Sequence, residues 1–419
     1  MHRLSKSTAV VLLLGAAIAP AAWAQDEPRS VCRPDARQPG GAVYRLCMPA
    51  AGDWNGDLVI WAHGYVDATR EVAIPEEQLC FGGTFCIPDI TNALGFGFIT
   101  TSYRMNGVVT TGVEDVAELV EIFTKEVGPP RRVYLVGASE GGLITALAVE
   151  QRPDLFSGGL STCGPIGDFH RIIRNYGDFR VLFEYFFPGL LPGTPDAVPP
   201  EALENWDALW EETIKPAVFD PANAERLNQL LKTSRVPYVA SDPATIEETV
   251  HDSLWYYVFA TNDMIGKMGG QVYDNIGRRY SGSADDADLN DRVMRVAADL
   301  SALQAIDGRL QTTGRLAAPL VTLHTTLDQQ VAFGQQWLYG AKVLRESDPR
   351  LRNLMPVYRY GHCNFKPWEA LLGFAVLVSK VSGQAPEGAD TVLTDAAARR
   401  EYLSAASRTG LVAAPAAGH

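Results

Sequence analysis

Val133-Tyr134-Leu135-Val136-Gly137-Ala138-Ser139-Glu140-Gly141-Gly142 passes directly into Leu143-Ile144-Thr145-Ala146-Leu147-Ala148-Val149. An apolar strand, a G-x-S-x-G turn and a helix-like run follow one another without a gap. That context forces a serine hydroxyl out of a tight elbow toward a substrate, so Ser139 is the first candidate for a nucleophile. Gly137 and Gly141 remove side chains that would collide with the neighbouring strand and helix. A helix starting immediately after Ser139 also aims free N–H groups and the positive end of its dipole at any oxyanion formed there.

The segments around this turn alternate between short β-branched runs and amphipathic stretches, the pattern of a largely parallel sheet with helices on both faces. Asp57–Ala62, Phe96–Thr101 and Gly158–Cys163 read as strands, as do Pro319–His324 and Met355–Tyr360. Val113, Val116, Leu119, Val120 and Phe123 keep helical spacing before a Gly128-Pro129-Pro130 stop. A helix is expected through Trp337 and Leu344, and a closing one from Trp368 to Val381. From residue 164 to 315 the alternation lapses into an aromatic-rich stretch broken by prolines. An insertion of this kind reads as a helical cap over the C-terminal edge of the sheet, with most of its aromatics forming the cap's own core and a few lining a pocket. The core is therefore expected in two parts, 25–163 and 316–395. Residues 396–419 read as an alanine-rich, partly disordered tail, its last stretch Val412–His419 disordered.

A nucleophilic serine needs a base to take its proton, and the base needs a carboxylate to hold its tautomer. Asp328 follows the strand expected to end at His324, and His362 follows the strand expected to end at Tyr360. Both lie in loops at strand C-terminal ends, the edge where the elbow opens and where ligands of open α/β sheets bind. Of the seven histidines, His2 is in the leader, His419 is terminal, His170 and His251 fall in the cap, and His324 sits inside a strand. His63, directly after the strand Asp57–Ala62, is read as a residue that orders its loop, which leaves His362 as base. Asp307, the runner-up acid, precedes the strand instead of following it.

Met1–Ala24 reads as a cleavable signal peptide: Arg3 and Lys6 precede an apolar run, and Ala22-Trp23-Ala24 is an A-x-A site. A secreted or periplasmic protein is expected, with no membrane attachment after the leader is removed. Removing Arg3 and Lys6 takes the formal charge from −13 to −15, which argues against nucleic acid or anionic lipid as a partner. Six cysteines suit an oxidising compartment. Cys80 and Cys86 flank Gly82-Gly83 and are placed to close a surface loop, while Cys32 and Cys47 are placed to tie an N-terminal hairpin. No Cys-x-x-Cys pair or glycine-rich nucleotide loop occurs, so neither a metal nor a cofactor is expected. Asp286, Asp288 and Asn290 imitate a calcium loop, but Asp291 and Ala297 stand where glycine and glutamate are required, and the stretch reads as an acidic helix start.

The elbow, the order Ser139, Asp328, His362 and the strand-end placement resemble the α/β-hydrolase superfamily, secreted bacterial serine esterases above all. The resemblance covers 55–165 and 315–385. It implies an α/β-hydrolase fold with a mostly parallel central sheet flanked by helices. It also implies hydrolysis of small-molecule or polymeric carboxylic esters through an acyl-enzyme on Ser139. His63-Gly64-Tyr65 resembles the superfamily's oxyanion element, which would make the N–H groups of Tyr65 and Glu140 the donors and give His63 and Gly64 a loop-ordering role. The side chain of Glu140 is then expected as a charge at the pocket rim. His362-Cys363 is similar to tannases and feruloyl esterases, where cysteines beside the catalytic serine and histidine are joined. Here Ala138 precedes the serine, leaving Cys163 as a substitute partner for Cys363 or both as buried thiols. A serine peptidase of the tripeptidyl or prolyl type would use the same three residues, and a non-catalytic binding protein on this fold is the remaining alternative.

Overall fold

The computed structural model describes residues 30–50, 53–81 and 85–411. The expected signal peptide, the Gly82-Gly83 turn and Val412–His419 lie outside the described residues. The strands in chain order are β1 (Ser30–Cys32), β2 (Ala36–Arg37), β3 (Val43–Pro49), β4 (Asp57–Ala62), β5 (Cys80–Phe81), β6 (Phe85–Cys86), β7 (Gly97–Thr101), β8 (Arg132–Ala138), β9 (Gly158–Thr162), β10 (Leu320–Leu327) and β11 (Arg352–Tyr360). One sheet runs β1-β3-β7-β4-β8-β9-β10-β11, with β2 also paired to β3, while β5 and β6 form a separate ribbon. β1, β2 and β3 pair antiparallel, as do β3 and β7, and every pair from β7 to β11 is parallel. This is the mostly parallel α/β architecture that the sequence implies.

Parallel strands covered on both faces must be apolar throughout, which is why β4 reads as an unbroken run and is buried at all six positions. Alternate residues then serve two cores. Leu58, Ile60, Val133 and Leu135 pack against helices α2 (Gly112–Glu126) and α3 (Glu140–Gln151), after α1 (Ile87–Ala93) in the chain. Val59, Tyr134, Leu160 and Val321 face the opposite side and meet Phe374, Leu377 and Val378 of the late helix Pro367–Ser382. Each such side chain, fully buried, contributes about 1.5–3 kcal/mol of transfer free energy.

The chain between β9 and β10 is helical: α4 (Phe169–Phe186), α5 (Pro200–Glu204), α6 (Trp206–Ala208), α7 (Lys215–Val218), α8 (Ala224–Ser234), α9 (Pro243–Met268), α10 (Asp286–Arg292) and α11 (Leu300–Arg309). It has its own core, in which Phe179, Phe183, Trp206, Trp210, Leu230 and Leu254 are buried. α9 is the longest element, and its ends are specified locally. Asp242 caps it by accepting from the Ala244 N–H, Pro243 opens it, and Gly269 closes it at φ 75°. Asp285 caps α10 in the same way, so the acidic run is a helix start. After β10 come α12 (Gly334–Glu346), α13 (Pro367–Ser382) and α14 (Ala396–Arg408).

Two expectations change. β10 continues past His324 to Leu327, and β11 starts at Arg352, before Met355, because the two strands pair in parallel over that whole length. The tail is ordered as far as α14: alanine favours helix, Asp395 accepts from the Ala398 N–H, and Tyr402, Ala405 and Ala406 are buried against Leu371 and Leu372.

At the elbow Ser139 sits at φ 55°, ψ −119°. A Cβ on Gly137 would lie 2.2 Å from the Gly141 carbonyl oxygen, and one on Gly141 would lie 2.0 Å from the Ala62 carbonyl oxygen. Backbone atoms cannot yield as a side-chain tip can. We expect Gly141→Ala to destabilise the protein by about 3 kcal/mol or more in urea titration. Gly266→Ala, in open space within α9, should be neutral or stabilising by up to about 1 kcal/mol.

Candidate active site

Three loops deliver their side chains to one rim of the sheet. Ser139 follows β8, Asp328 follows β10 and His362 stands two residues beyond β11. His362 Nε2 is 2.8 Å from Ser139 Oγ, and its Nδ1 is 2.8 Å from Asp328 Oδ2 and 3.0 Å from Oδ1. The two remaining donors to Asp328 Oδ1 are the N–H groups of Gln330 at 3.0 Å and Val331 at 2.8 Å. Asp328 is fully buried. Burial pushes its carboxyl up, but the charge of His362 and hydrogen bonds from His324 and His362 outweigh it, holding the group below the usual carboxylate range. With Nδ1–H given to the carboxylate, Nε2 faces the serine as an acceptor.

The His63–Tyr65 loop leaves β4 beside the elbow. Gly64 donates its N–H to Gln78 Oε1 at 2.7 Å, and a Cβ there would meet Ser139 Cβ at 3.2 Å. His63 is buried, with Nδ1 2.6 Å from the Gly64 carbonyl, and burial lowers its pKa to about 4, so the ring is uncharged at neutral pH. Tyr103, itself at φ 55°, donates its hydroxyl to the His63 carbonyl at 3.0 Å. Among the described residues the N–H groups of Tyr65 and Glu140 donate to no protein acceptor, as expected for Glu140 in the first turn of α3. The side chain of Tyr65 adds a link absent from the sequence reading: its hydroxyl reaches the Phe259 carbonyl of α9 at 3.1 Å.

The Glu140 side chain corrects an expectation. It is no rim charge but is 8% exposed, with Oε1 accepting the Val109 N–H at 2.8 Å and Oε2 without a partner among the described residues. Burial raises its pKa to about 8, against the pull of the Val109 N–H and Lys267. At neutral pH it is a protonated acid. Both helix register and the strand face at the elbow turn it inward, which a linear motif does not specify.

A cavity of about 110 Å³ opens beside Ser139 and Glu140. Phe169, Tyr176, Tyr256 and Tyr257 of the cap line it, joined by Met264 and Val331. The other cap aromatics highlighted by composition, such as Phe183 and Trp206, belong to the cap core. A larger cavity of about 420 Å³ lies under α1 and α13, and Ser139 does not line it. His170 Nε2 lies 2.8 Å from Asp307 Oδ1, which places the alternative acid in a surface hydrogen bond away from Ser139.

All six cysteines are bridged: Cys32–Cys47 across β1 and β3, Cys80–Cys86 across β5 and β6, and Cys163–Cys363 between the end of β9 and the histidine loop. Cys163 and Cys363 both adopt positive φ, 47° and 49°. With Ser139 and Tyr103, they gather left-handed backbone of non-glycine residues around the site, a strain the surrounding packing has to sustain. The cluster Cys163, His362 and Cys363 has metal-type donors, but its sulfurs are joined to each other and offer no thiolate.

The family model of the prolyl oligopeptidase family matches residues 81–171, the segment that contains the elbow. The segment that carries the elbow is therefore similar to that family, and the strand order with Ser139 at the end of β8 is that of an α/β-hydrolase fold. Among solved structures, an esterase from Aspergillus oryzae is 15% identical (TM-score 0.45), with 83% of this chain and 78% of that chain covered. Feruloyl esterase B from the same organism is 16% identical (TM-score 0.42; 84% and 81%). The acylaminoacyl peptidase of Pyrococcus horikoshii is 11% identical (TM-score 0.43), with 87% of this chain covered but only 44% of the peptidase. No curated protein matches.

The raised pKa of Glu140 has a definite sign in stability. Between about pH 4.5 and pH 8 the folded protein holds a proton that the unfolded chain releases, so this group makes stability fall as pH rises through that window. Glu140→Gln removes the dependence. Its stability relative to wild type, from urea titrations at pH 5 and pH 8.5, should improve by roughly 2–5 kcal/mol across the interval.

Proposed function

We propose that this protein is a serine hydrolase that cleaves carboxylic esters with an apolar or aromatic acyl group, outside the cytoplasm. The observation that carries this reading is the unbroken chain Ser139 Oγ, His362 Nε2, His362 Nδ1, Asp328 Oδ2, both links at 2.8 Å, opening on an apolar pocket. Ser139 attacks the ester carbonyl carbon as His362 takes the hydroxyl proton, and Asp328 stabilises the imidazolium. The N–H groups of Tyr65 and Glu140 hold the tetrahedral oxyanion. His362 returns the proton to the departing alkoxide, which leaves as the alcohol. Water then attacks the acyl-enzyme, passing its proton to His362, which hands it to Ser139 Oγ as the acyl–oxygen bond breaks and the carboxylic acid leaves.

The ester preference is supported by the pocket's chemistry. Glu140 is the one carboxyl among its lining residues, and it is protonated at neutral pH, so no lining group carries a formal charge there. An uncharged acyl chain meets aromatic and aliphatic walls without stranding a charge. An ionised Glu140 beside the oxyanion would oppose it, which the protonated acid avoids. Three disulfides and the leader-like N-terminus favour an oxidising compartment.

The match to the prolyl oligopeptidase family favours serine peptidase activity as the second reading. A panel of p-nitrophenyl esters from acetate to palmitate, with a feruloyl ester and peptidyl anilides, separates the two. We expect kcat/KM for the preferred ester to exceed that for any anilide by at least about 100-fold, and Ser139→Ala to lose about 10⁴-fold or more. Faster anilide cleavage would establish the peptidase. A wild type that takes no fluorophosphonate label would instead point to a binding protein.

A further inference from the structure

Behind the carboxylate of Asp328 stands a second imidazole. His324, fully buried on β10, has its Nε2 3.4 Å from Asp328 Oδ2 and 2.7 Å from the Val331 carbonyl. Its Nδ1 lies 2.9 Å from Gln336 Nε2 on α12. The orientation of that amide is fixed from behind, because Gln336 Oε1 accepts from Arg352 Nη2 at 3.0 Å. An amide oxygen committed to a guanidinium turns the amide nitrogen toward the histidine as a donor. His324 Nδ1 is therefore the acceptor, and the ring carries its proton on Nε2, donated to the Val331 carbonyl with Asp328 Oδ2 3.4 Å from the same nitrogen.

We propose that His324 is a positioning residue of this hydrolase: its Nε2–H, fixed by the Arg352–Gln336 pair, holds the Val331 carbonyl and lies 3.4 Å from Asp328 Oδ2, and through that carboxylate it sets the alignment and basicity of His362. Asp328 Oδ1 is filled by two backbone N–H groups and Oδ2 by His362. His324 approaches the carboxylate from the Oδ2 side at 3.4 Å, and its Nε2–H pins the Val331 carbonyl that closes the same loop. The other charged groups near this loop are Asp252 and Glu248 of α9, which face Gln329 and Gln330. Arg352 stands behind Gln336, stacked over the Tyr339 ring, and Phe333 packs edge-on against His324.

The inference rests on Ser139 as nucleophile. Its test is the pH profile of kcat/KM for His324→Leu and His324→Gln, with the folded state of each checked by thermal melting and the active serine titrated with a fluorophosphonate. The amide of glutamine can replace the Nε2–H; leucine cannot. We expect His324→Leu to lower kcat 10- to 100-fold with KM nearly unchanged, by analogy with outer-sphere partners of ligating histidines. With one donor removed, the carboxylate's charge bears more fully on His362, so the acid limb should move to higher pH. His324→Gln should restore the wild-type limb and most of kcat.

If His324→Leu fails to fold, Gln336→Leu, which frees the tautomer while leaving the ring, should move the limb in its place. Nitrogen-15 NMR of the intact protein should find His324 protonated at Nε2 and not at Nδ1. A folded leucine variant with an unmoved limb, equal losses in both His324 variants without a limb shift, or a ring protonated at Nδ1 overturns the inference while leaving Ser139 as nucleophile. A wild type that takes no label overturns the nucleophile, and the positioning role with it.

Discussion

The site depends on a contact between bare backbones. Gly141 brings α3 against the Ala62 and His63 carbonyls at a distance no Cβ allows, and a Cβ on Gly142 would meet the Thr162 carbonyl oxygen at 2.8 Å and Gly164 Cα at 3.0 Å. The first turn of α3 is thereby wedged between the ends of β4 and β9. One consequence is that the Glu140 N–H and the His63–Tyr65 loop become neighbours, giving two donors from distant parts of the chain one direction. Another is that Ser139 has no room for an ordinary backbone conformation and is held at positive φ. Preorganisation here is steric before it is electrostatic.

The second organising element is α9. Asp263 accepts the Val108 N–H at 2.8 Å, Asp252 accepts from Gln329 and Gln330 at 2.9 and 2.7 Å, and the Thr245 carbonyl accepts from Tyr360 at 2.9 Å. Together with the bond from Tyr65 to Phe259, this ties one cap helix to the loops that carry Tyr65, Asp328 and His362. The cap is thus more than a cover for the pocket. Its longest helix spans the rim that the strands leave as separate loops, so cap packing and triad geometry share the same hydrogen bonds.

The central sheet and the three site residues were legible in the sequence because each rests on a local rule: unbroken apolar runs, glycines at a forced turn, polar residues just past strand ends. The strand order adds what those rules leave open, bringing β8, β10 and β11 close enough for positions 139, 328 and 362 to share one rim. What escaped was set by tertiary contact. Glu140 read as a charge at the pocket rim because Val109, whose N–H it accepts, is distant in sequence. His324 was set aside as a strand residue, although the four-residue step from His324 to Asp328 along a strand and its turn was a signal available beforehand. Tyr65 was read for its N–H alone. The helix Ala396–Arg408 was hidden by composition, since alanine serves a tail and a helix equally until Tyr402 finds a buried seat.

The bridge between Cys163 and Cys363 closes a ring of chain containing the entire cap, with 200 positions separating its ends. Ser139 lies on one arm outside that ring, and His362 is the last residue inside it. A protease that nicks any exposed cap loop would therefore leave two fragments still covalently paired, Ser139 on one and His362 on the other, a single residue from the joining sulfurs. Scission in the cap alone would not part the two residues whose contact the site requires.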